Sequence, residues 1–351
     1  MENIKKHLSS IDGLRAVGAV LVFNLHFLID YANYSTFENP IIVGIIKFLQ
    51  SGHIGVDLFF VLSGFLIFRS LLKNQYSFVD FIKFRFKRLL PANFFVLSIL
   101  TFNNFAIIGF ILNLFFIVPL LQNVPQYNYV AWTLNWELLF YLIIFYIFII
   151  YKRFKFKYFF RILITTALVT SAMFVILDST NTLTLPEPGR FASFFFGAVI
   201  AYLEFKKFQY NKKWMTIGTI ISSITIVLAM IVWANKIPIV TTNSFFLIVG
   251  LCFSCIVAYV INFESFLNKI LDSGLFKNVG KVSYSFYLIH PLIMPLALRE
   301  LNEKGINILP INYLVAFGAC YFFSLFMYTY LERPYFQAKV QTSQPKDLLS
   351  A

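Results

Sequence analysis

The stretch Asp12-Gly-Leu-Arg-Ala-Val-Gly-Ala-Val-Leu-Val-Phe-Asn-Leu-His-Phe-Leu-Ile-Asp30 is apolar apart from a few side chains. It has the length that one helix needs to cross a bilayer, which is about 20 residues. Comparable apolar stretches recur along the chain as far as residue 331. They are too numerous for one buried core, so the pattern predicts helices that cross a membrane many times.

The composition of the 351 residues excludes an ordinary soluble fold. Hydrophobic residues make up 59%, the mean hydropathy is +0.75, and 45 residues are Phe. Charged residues make up 13%, against about 25% in soluble globular chains. So few charges could not cover the surface of a soluble domain of this size. We therefore predict an all-α, polytopic membrane protein.

Ten membrane-spanning helices are predicted from the apolar stretches. Their ranges are 12–32, 53–72, 92–118, 135–151, 158–177, 190–205, 214–234, 242–262, 281–298 and 310–331. The third range is long, so we expect a break near Asn103-Asn104 or a tilted helix followed by a re-entrant piece. The helices are expected to form one integral-membrane domain, 1–340, followed by a short cytoplasmic tail, 341–351.

The net charge of +13 is explained by topology. Most of the 29 Lys and Arg residues fall in segments on the same side of the membrane as the N-terminus. An excess of basic residues in short loops marks the cytoplasmic side, so both termini are predicted to be cytoplasmic. The basic residues are scattered and form no continuous patch, which argues against a nucleic acid as partner.

Cysteine gives no sign of metal or disulfide chemistry. Cys252 and Cys255 form a C-x-x-C pair within an apolar stretch, without a second pair of ligands. Small packing residues on one helix face are the simpler interpretation. We therefore expect no metal and no bound cofactor.

Ionisable side chains in the first predicted helix are candidates for function, because each costs at least about 2.5–3.5 kcal/mol in a bilayer. Arg15 and His26 lie within about 20° of the same helix face and about 16 Å apart along its axis. Asp12 is one turn from Arg15, and Asp30 is one turn from His26. Two alternatives stay open: Arg15 could reach the inner interface, and His26 could be a hydrogen-bonded packing residue.

The second predicted helix and the segment after it hold further polar residues. His53 and Asp57 form an i,i+4 pair at the outer end, and Ser63 begins a Ser-Gly pair typical of close packing. The later segment Phe81-Ile-Lys-Phe-Arg85-Phe-Lys-Arg88 alternates basic and apolar residues. It is either an interfacial helix that binds anionic membrane lipid or a binding site for a phosphorylated ligand.

Two later helices add candidates. Glu137 follows the start of the fourth predicted helix and lies at about the depth of His26 and Asp30, so a shared site is geometrically possible. Tyr287 and His290 are i,i+3 neighbours, and the following proline is expected to kink or end their helix.

These motifs, in this order, resemble acyltransferase family 3, the integral-membrane acyltransferases that modify bacterial surface polysaccharides. The matching stretches are Ile11-Asp-Gly-Leu-Arg-Ala16, Gly55-Val-Asp-Leu-Phe-Phe-Val-Leu-Ser-Gly64, Arg85-x-x-Arg88, Trp132…Glu137…Phe140-Tyr141, Ser283-Tyr-Ser-Phe-Tyr-Leu-Ile-His290 and Glu332-Arg-Pro334. They extend over nearly the whole chain. The resemblance implies transfer of an acyl group, usually acetyl, from cytoplasmic acyl-CoA to a carbohydrate hydroxyl.

The resemblance also implies roles for individual residues. His26 would be the catalytic histidine and Arg15 its essential partner, while Glu137 would belong to the active site. Arg85 and Arg88 would bind the CoA phosphates. We add Asp30 to the catalytic group, Asp12 and Arg69 to the donor site, and Ser63, Asp57, Tyr287 and His290 as possible lining residues.

The expected activity is acetyl-CoA-dependent O-acetylation in the bacterial cytoplasmic (inner) membrane. The acceptor would be a surface polysaccharide or a lipid-linked glycan such as the O-antigen of lipopolysaccharide. His26 would act as a general base or would carry the acyl group itself. Some family members have a fused extracytoplasmic domain; we expect this chain to act alone or to pass its acyl group to a separate partner.

Two other classes of function are alternatives to an acyltransferase. A transporter or flippase could use Arg, His and Glu as a proton relay, but it predicts symmetry between the two halves of the sequence, and we find none. A non-catalytic scaffold would gain nothing from the ionisable stripe of Arg15 and His26.

Overall fold

The computed structural model describes residues 2–74, 76–102, 106–118, 124–154, 159–179, 187–237 and 241–334. In these ranges the regular structure is helical, without a β-strand. The α-helices are α1 (Glu2–Tyr31), α2 (Pro40–Gln50), α3 (Gly55–Lys73), α4 (Phe78–Leu100), α5 (Ile107–Leu114), α6 (Trp132–Phe154), α7 (Phe159–Ser179), α8 (Ala192–Phe205), α9 (Lys212–Ala234), α10 (Thr242–Asn262), α11 (Phe266–Leu271), α12 (Gly274–Lys281), α13 (Ser283–Glu303) and α14 (Leu309–Met327).

Seven helical segments within these ranges are long and apolar enough to cross a membrane. They are Ser9–Tyr31, Pro40–Lys73, Tyr129–Phe154, Phe159–Ile176, Lys212–Ala234, Thr242–Asn262 and Leu309–Glu332. The all-α, polytopic membrane class is thereby confirmed.

The other three predicted spans correspond to helices that are shorter, broken or more polar. The range 92–118 divides into α4 and the separate α5, while the predicted break at Asn103-Asn104 lies outside the described residues. Helix α8 has only 14 residues. Helix α13 contains two prolines, and Pro291 does not end it, because the helix continues to Glu303.

The basic segment around Arg85 belongs to α4, which is a continuous helix of 23 residues. Its start is capped by Ser77, whose side chain accepts a hydrogen bond from the Asp80 backbone N–H. Arg85 is buried in the bundle and does not face lipid. The segment is therefore not a separate interfacial helix.

Helices α3 and α8 approach each other closely at two glycines. A Cβ atom on Gly64 would overlap the backbone carbonyl of Phe194, and one on Gly197 would overlap that of Val61. Small residues at such crossings let helix backbones pack directly against each other in a membrane. Beside this contact the rings of Phe60 and Phe194 stack with their centroids 4.2 Å apart.

A buried ion pair joins α3 to the turn that precedes α8. Arg190 lies in the short turn Pro188–Phe191, and its Nη1 donates to the Asp57 carboxylate; both side chains are fully buried. The same guanidinium donates from Nη1 to the His53 carbonyl (3.1 Å) and from Nε to Glu187 (2.6 Å). The expected pair of His53 with Asp57 is therefore wrong, because the Asp57 carboxylate is bonded to the guanidinium of Arg190.

Replacing Gly64 with Ala is expected to destabilise the fold, because the added methyl group meets the Phe194 carbonyl. Overpacking of this kind costs about 1–3 kcal/mol, which lowers the midpoint of thermal unfolding in detergent. Gly318→Ala is the matched control, since no atom lies within 4 Å of a Cβ added there. Equal midpoints for the two variants would contradict the close helix contact.

Replacing Arg190 with Met is expected to lower the free energy of unfolding by about 3–5 kcal/mol, because it leaves the Asp57 charge buried and uncompensated. The double variant Arg190→Met/Asp57→Asn should recover part of this loss. Arg299→Met is the control: its pair with Glu303 is more than half exposed on both sides, so a change below about 1 kcal/mol is expected. A double variant no more stable than Arg190→Met would contradict the pairing.

Candidate active site

An inner cavity lies between α1, α3, α4, α6 and α13 and has an empty volume of about 750 Å³. Its polar lining includes three arginines, a carboxylate and several hydroxyl groups. These residues are Arg15, Arg85, Arg88, Glu137, Ser63, Tyr284 and Tyr287. The charges on this surface suit an anionic ligand such as a phosphate group.

Arg85 is the most buried of these arginines, at 6% exposure. Its guanidinium lies against the rings of Phe81 and Tyr141, at 5.3 and 5.7 Å from their centroids. Its Nε has no hydrogen-bond partner, and the described residues place no carboxylate in ion-pair contact with it. A buried guanidinium in this state has unused hydrogen-bonding capacity for a ligand.

Glu137 lines the cavity of the arginines, whereas His26, with which a shared site was geometrically possible, lines the other cavity. Helix α6 begins at Trp132 after a turn at Tyr129–Ala131, so Glu137 is more than one turn inside the helix. Its carboxylate accepts a hydrogen bond from the Tyr141 hydroxyl (2.5 Å). It lines the inner cavity.

Two further carboxylates interact with Arg15 without lining the cavity. Asp12 is 4.0 Å from Arg15, an i,i+3 ion pair, but does not line the cavity. Glu332 is buried at the end of the helical segment Tyr328–Glu332 that follows α14. Its carboxylate accepts a hydrogen bond from Ser285 and interacts electrostatically with Arg15. Sequence reasoning used Glu332 only as part of a motif and did not place it near this site.

An outer cavity of about 710 Å³ contains the predicted catalytic histidine. His26 lines it together with other aromatic side chains and with two members of the buried ion-pair cluster. The residues besides His26 include Tyr129, Trp132, Glu187, Arg190 and Tyr287. The backbone of Glu187 is held in the left-handed region (φ 51°), and its carboxylate is bonded to Arg190.

His26 is paired with His290 rather than with Asp30. His26 Nδ1 and His290 Nε2 are 2.8 Å apart, and the two rings are stacked with centroids 5.0 Å apart. Asp30 is half-buried one turn further along α1. The hydrogen-bond partner of His26 therefore comes from α13 and not from the neighbouring turn of α1.

The two cavities are adjacent, because Val56 and Tyr287 line both of them. The Tyr287 hydroxyl donates to the Val130 carbonyl (2.9 Å) and accepts from Thr133 (3.2 Å), which fixes the ring at the junction. Arg15 lines the inner cavity and His26 the outer one, as expected for residues on the same face of one helix. The structure thus places the arginine cluster and the histidine pair in neighbouring cavities separated by Val56 and Tyr287.

Two predicted site residues lie outside both cavities. Arg69 donates from Nε to both oxygens of Glu204, at 3.0 and 2.7 Å, and does not line the donor cavity. Asp57 does not line the outer cavity but holds Arg190, which does. The structure therefore does not bring Arg69 or Asp57 to the lining of either cavity.

The described residues contain no group of three or more His, Cys, Asp or Glu side chains that could hold a metal ion. The polar groups that converge in the two cavities are arginine, carboxylate, hydroxyl and imidazole. These are suited to binding an anionic donor, to hydrogen bonding and to moving a proton.

Comparison with known proteins places the chain among membrane acyltransferases. A family model described as "Acyltransferase domain" matches residues 8–329. The chain is 25% identical over 327 residues to the O-acetyltransferase OatA of Staphylococcus aureus, covering 82% of this chain and 51% of that protein. It is 31% identical over 147 residues to the peptidoglycan O-acetyltransferase OatA of Listeria monocytogenes, covering 39% of this chain and 19% of that protein.

The chain spans about half the length of the Staphylococcus aureus relative that it matches. No solved structure matches the chain. The family match, by contrast, covers the helices that form both cavities. The chain therefore belongs to acyltransferase family 3.

Proposed function

We propose that the chain transfers an acyl group, most simply acetyl, from cytoplasmic acyl-CoA to a hydroxyl group of a glycan on the other side of the membrane. The adjacency of the arginine cavity and the histidine cavity, which share Val56 and Tyr287 as lining residues, carries this proposal. A donor bound by its phosphates in the first cavity would extend its thioester toward the second. The membrane would separate the two substrates, and the chain would join them.

The donor is proposed to bind with its phosphates near Arg15, Arg85 and Arg88. CoA carries phosphate groups at one end and a thioester at the end of a narrow pantetheine arm. The unused hydrogen-bonding capacity of Arg85 and the three positive charges of the cavity support the phosphate site. Arg15 and His26 are about 16 Å apart along α1, a distance that such an arm can bridge.

His26 is proposed to remove the proton from the acceptor hydroxyl. The hydroxyl oxygen then attacks the thioester carbonyl carbon, the carbon–sulfur bond breaks, and the CoA sulfur takes the proton from His26. In the alternative route, His26 attacks the thioester first and carries the acyl group as an acyl-imidazole before the hydroxyl attacks. In both routes His26 faces the acceptor from the outer cavity.

The acceptor is proposed to be a surface polysaccharide or a lipid-linked glycan. One relative is a peptidoglycan O-acetyltransferase. O-antigen is a second glycan of the expected kind. Tyr129, Trp132 and Glu187 supply aromatic faces and a carboxylate in the outer cavity. Such groups suit the apolar faces and hydroxyl groups of a sugar ring.

We further propose a bacterial cytoplasmic membrane location, ten spans, and both termini on the cytoplasmic side. The excess of basic residues in the segments on that side supports this orientation. It would put the arginine cavity on the side where acyl-CoA is found. Membership of the family favours an acyltransferase over a transporter or flippase.

Replacing His26 with Ala is expected to abolish acyl transfer, because removal of a general base typically lowers a rate by about 10²–10⁴-fold. The measurement is glycan O-acetylation in a deletion strain of the host complemented with each variant, at matched protein levels in the membrane. Ser324→Ala, which changes a buried residue of α14 outside both cavities, is the control. Unchanged acetylation by a well-expressed His26→Ala protein would refute the proposed role.

The double variant Arg85→Ala/Arg88→Ala is expected to raise the Kd for acetyl-CoA by at least about tenfold, because charge-assisted hydrogen bonds contribute about 1.5–3 kcal/mol. Calorimetric titration of the protein in nanodiscs measures it. Arg69→Ala is the matched control, since Arg69 is paired with Glu204 outside the cavity. Identical isotherms for the double variant and the wild type would show that the donor binds elsewhere.

A further inference from the structure

Three groups form a chain of hydrogen bonds beside the outer cavity. His26 Nδ1 lies 2.8 Å from His290 Nε2, and His290 Nδ1 lies 3.2 Å from the backbone carbonyl of Phe286. Among the described residues, His26 Nε2 has no hydrogen-bond partner, and His26 lines the cavity. The position of the protons along this chain decides what His26 can do.

The Phe286 carbonyl determines which nitrogen of His290 carries a proton. A carbonyl oxygen can only accept a hydrogen bond, so His290 Nδ1 must carry the hydrogen that it shares with Phe286. In a neutral imidazole the other nitrogen then has a lone pair and accepts. His290 Nε2 therefore accepts from His26, and the proton between the two rings belongs to His26 Nδ1.

His290 is neutral because nothing around it compensates a charge. It is 1% exposed, and the rings of Phe23, Phe286 and Tyr287 lie within 6.4 Å of it between centroids. The described residues place no carboxylate in contact with it. An unpaired buried charge in such surroundings costs several kcal/mol, which excludes the doubly protonated ring.

The residue after His290 explains why this carbonyl region is open to a side chain. Pro291 has no backbone N–H, so the helix cannot form the hydrogen bond that would normally end on the Tyr287 carbonyl. The imidazole hydrogen bond itself is made with the carbonyl of Phe286, one turn earlier in α13 (3.2 Å). That hydrogen bond orients the His290 ring.

We infer that His290 is a positioning residue that fixes the tautomer of His26, with the proton on Nδ1 and a bare Nε2 toward the outer cavity. The inference rests on the proposed function, in which His26 is the reacting histidine. When Nε2 takes the hydroxyl proton, Nδ1–H still donates to His290, and Nε2 later returns its proton to the CoA sulfur. The bare Nε2 is equally the atom that an acyl-imidazole route requires.

The test compares His290→Gln with His290→Met, which have similar length and volume. Gln can place an amide oxygen where His290 Nε2 accepts, whereas Met has only a weak acceptor. We expect Gln to keep kcat within about tenfold of the wild type, while Met lowers kcat at least about 100-fold, a loss expected when a catalytic imidazole adopts the wrong tautomer. The KM for acetyl-CoA should not change in either variant, because His290 does not line the donor cavity.

A purely structural role predicts the opposite order, since Met suits an apolar core better than Gln. Equal activities, or Met more active than Gln, would overturn the inference. Tyr313→Phe is the control: it removes a hydrogen bond of 2.7 Å between α14 and Asn24 of α1 without touching either histidine. His26→Ala in the same assay separates the two proposals, because full activity there refutes the proposed function itself.

A second measurement reads the tautomer of His26 directly in the unmodified protein. Histidine can be labelled with ¹⁵N, the chain has four His residues, and His26→Gln assigns the signals of His26. Protonated and bare ring nitrogens have well separated ¹⁵N chemical shifts. We expect a protonated Nδ1 and a bare Nε2 in His26 at neutral pH, and a protonated Nε2 would overturn the inference.

Discussion

A charged side chain inside an apolar bundle must be bonded to an opposite charge or reserved for a ligand. This constraint separates two of the described arginines, Arg69 and Arg190, from Arg85. Arg190 is fully buried and bonded to Asp57 and Glu187, and Arg69 is bonded through both oxygens of Glu204. These arginines are neutralised and hold the bundle together. Arg85 has aromatic rings beside it and no carboxylate in contact within the described ranges, so its charge is available to a substrate.

Helical periodicity is sufficient to predict which residues of a single helix share a face. The spacing of Arg15 and His26 predicts that both face one side of α1, and the structure places each of them on a cavity reached from that side. The apolar stretches likewise predicted where the helices lie, because length and hydropathy are properties of a single segment. The position of Glu137 is predicted less well from the sequence. Helix α6 begins before the apolar run, and Glu137 lines the cavity of the arginines rather than the cavity of His26.

Partners between helices could not be predicted from spacing. The expected i,i+4 pairs of His26 with Asp30 and of His53 with Asp57 both follow a rule for isolated helices. In the bundle, His26 bonds to His290, 264 residues away, and Asp57 bonds to Arg190, 133 residues away. Packed neighbouring helices bring these groups into direct contact, and a fully buried partner stabilises a charge better than an exposed one on the same helix. Only the fold could identify Arg190 as part of the outer cavity.

The residues between the two cavities bear on which part of a substrate could move from one cavity to the other. Tyr287 lines both cavities, and its hydroxyl is held by Val130 and Thr133, so the ring is fixed at this point. A narrow pantetheine arm would need less room to pass this ring than a sugar ring or a nucleotide would. In the proposed reaction the nucleotide would stay with the arginines, the glycan would stay in the outer cavity, and only the acyl-bearing end of the donor would reach His26. The position of Tyr287 would thus allow the chain to join two substrates from opposite sides of the membrane without opening a wide path between them.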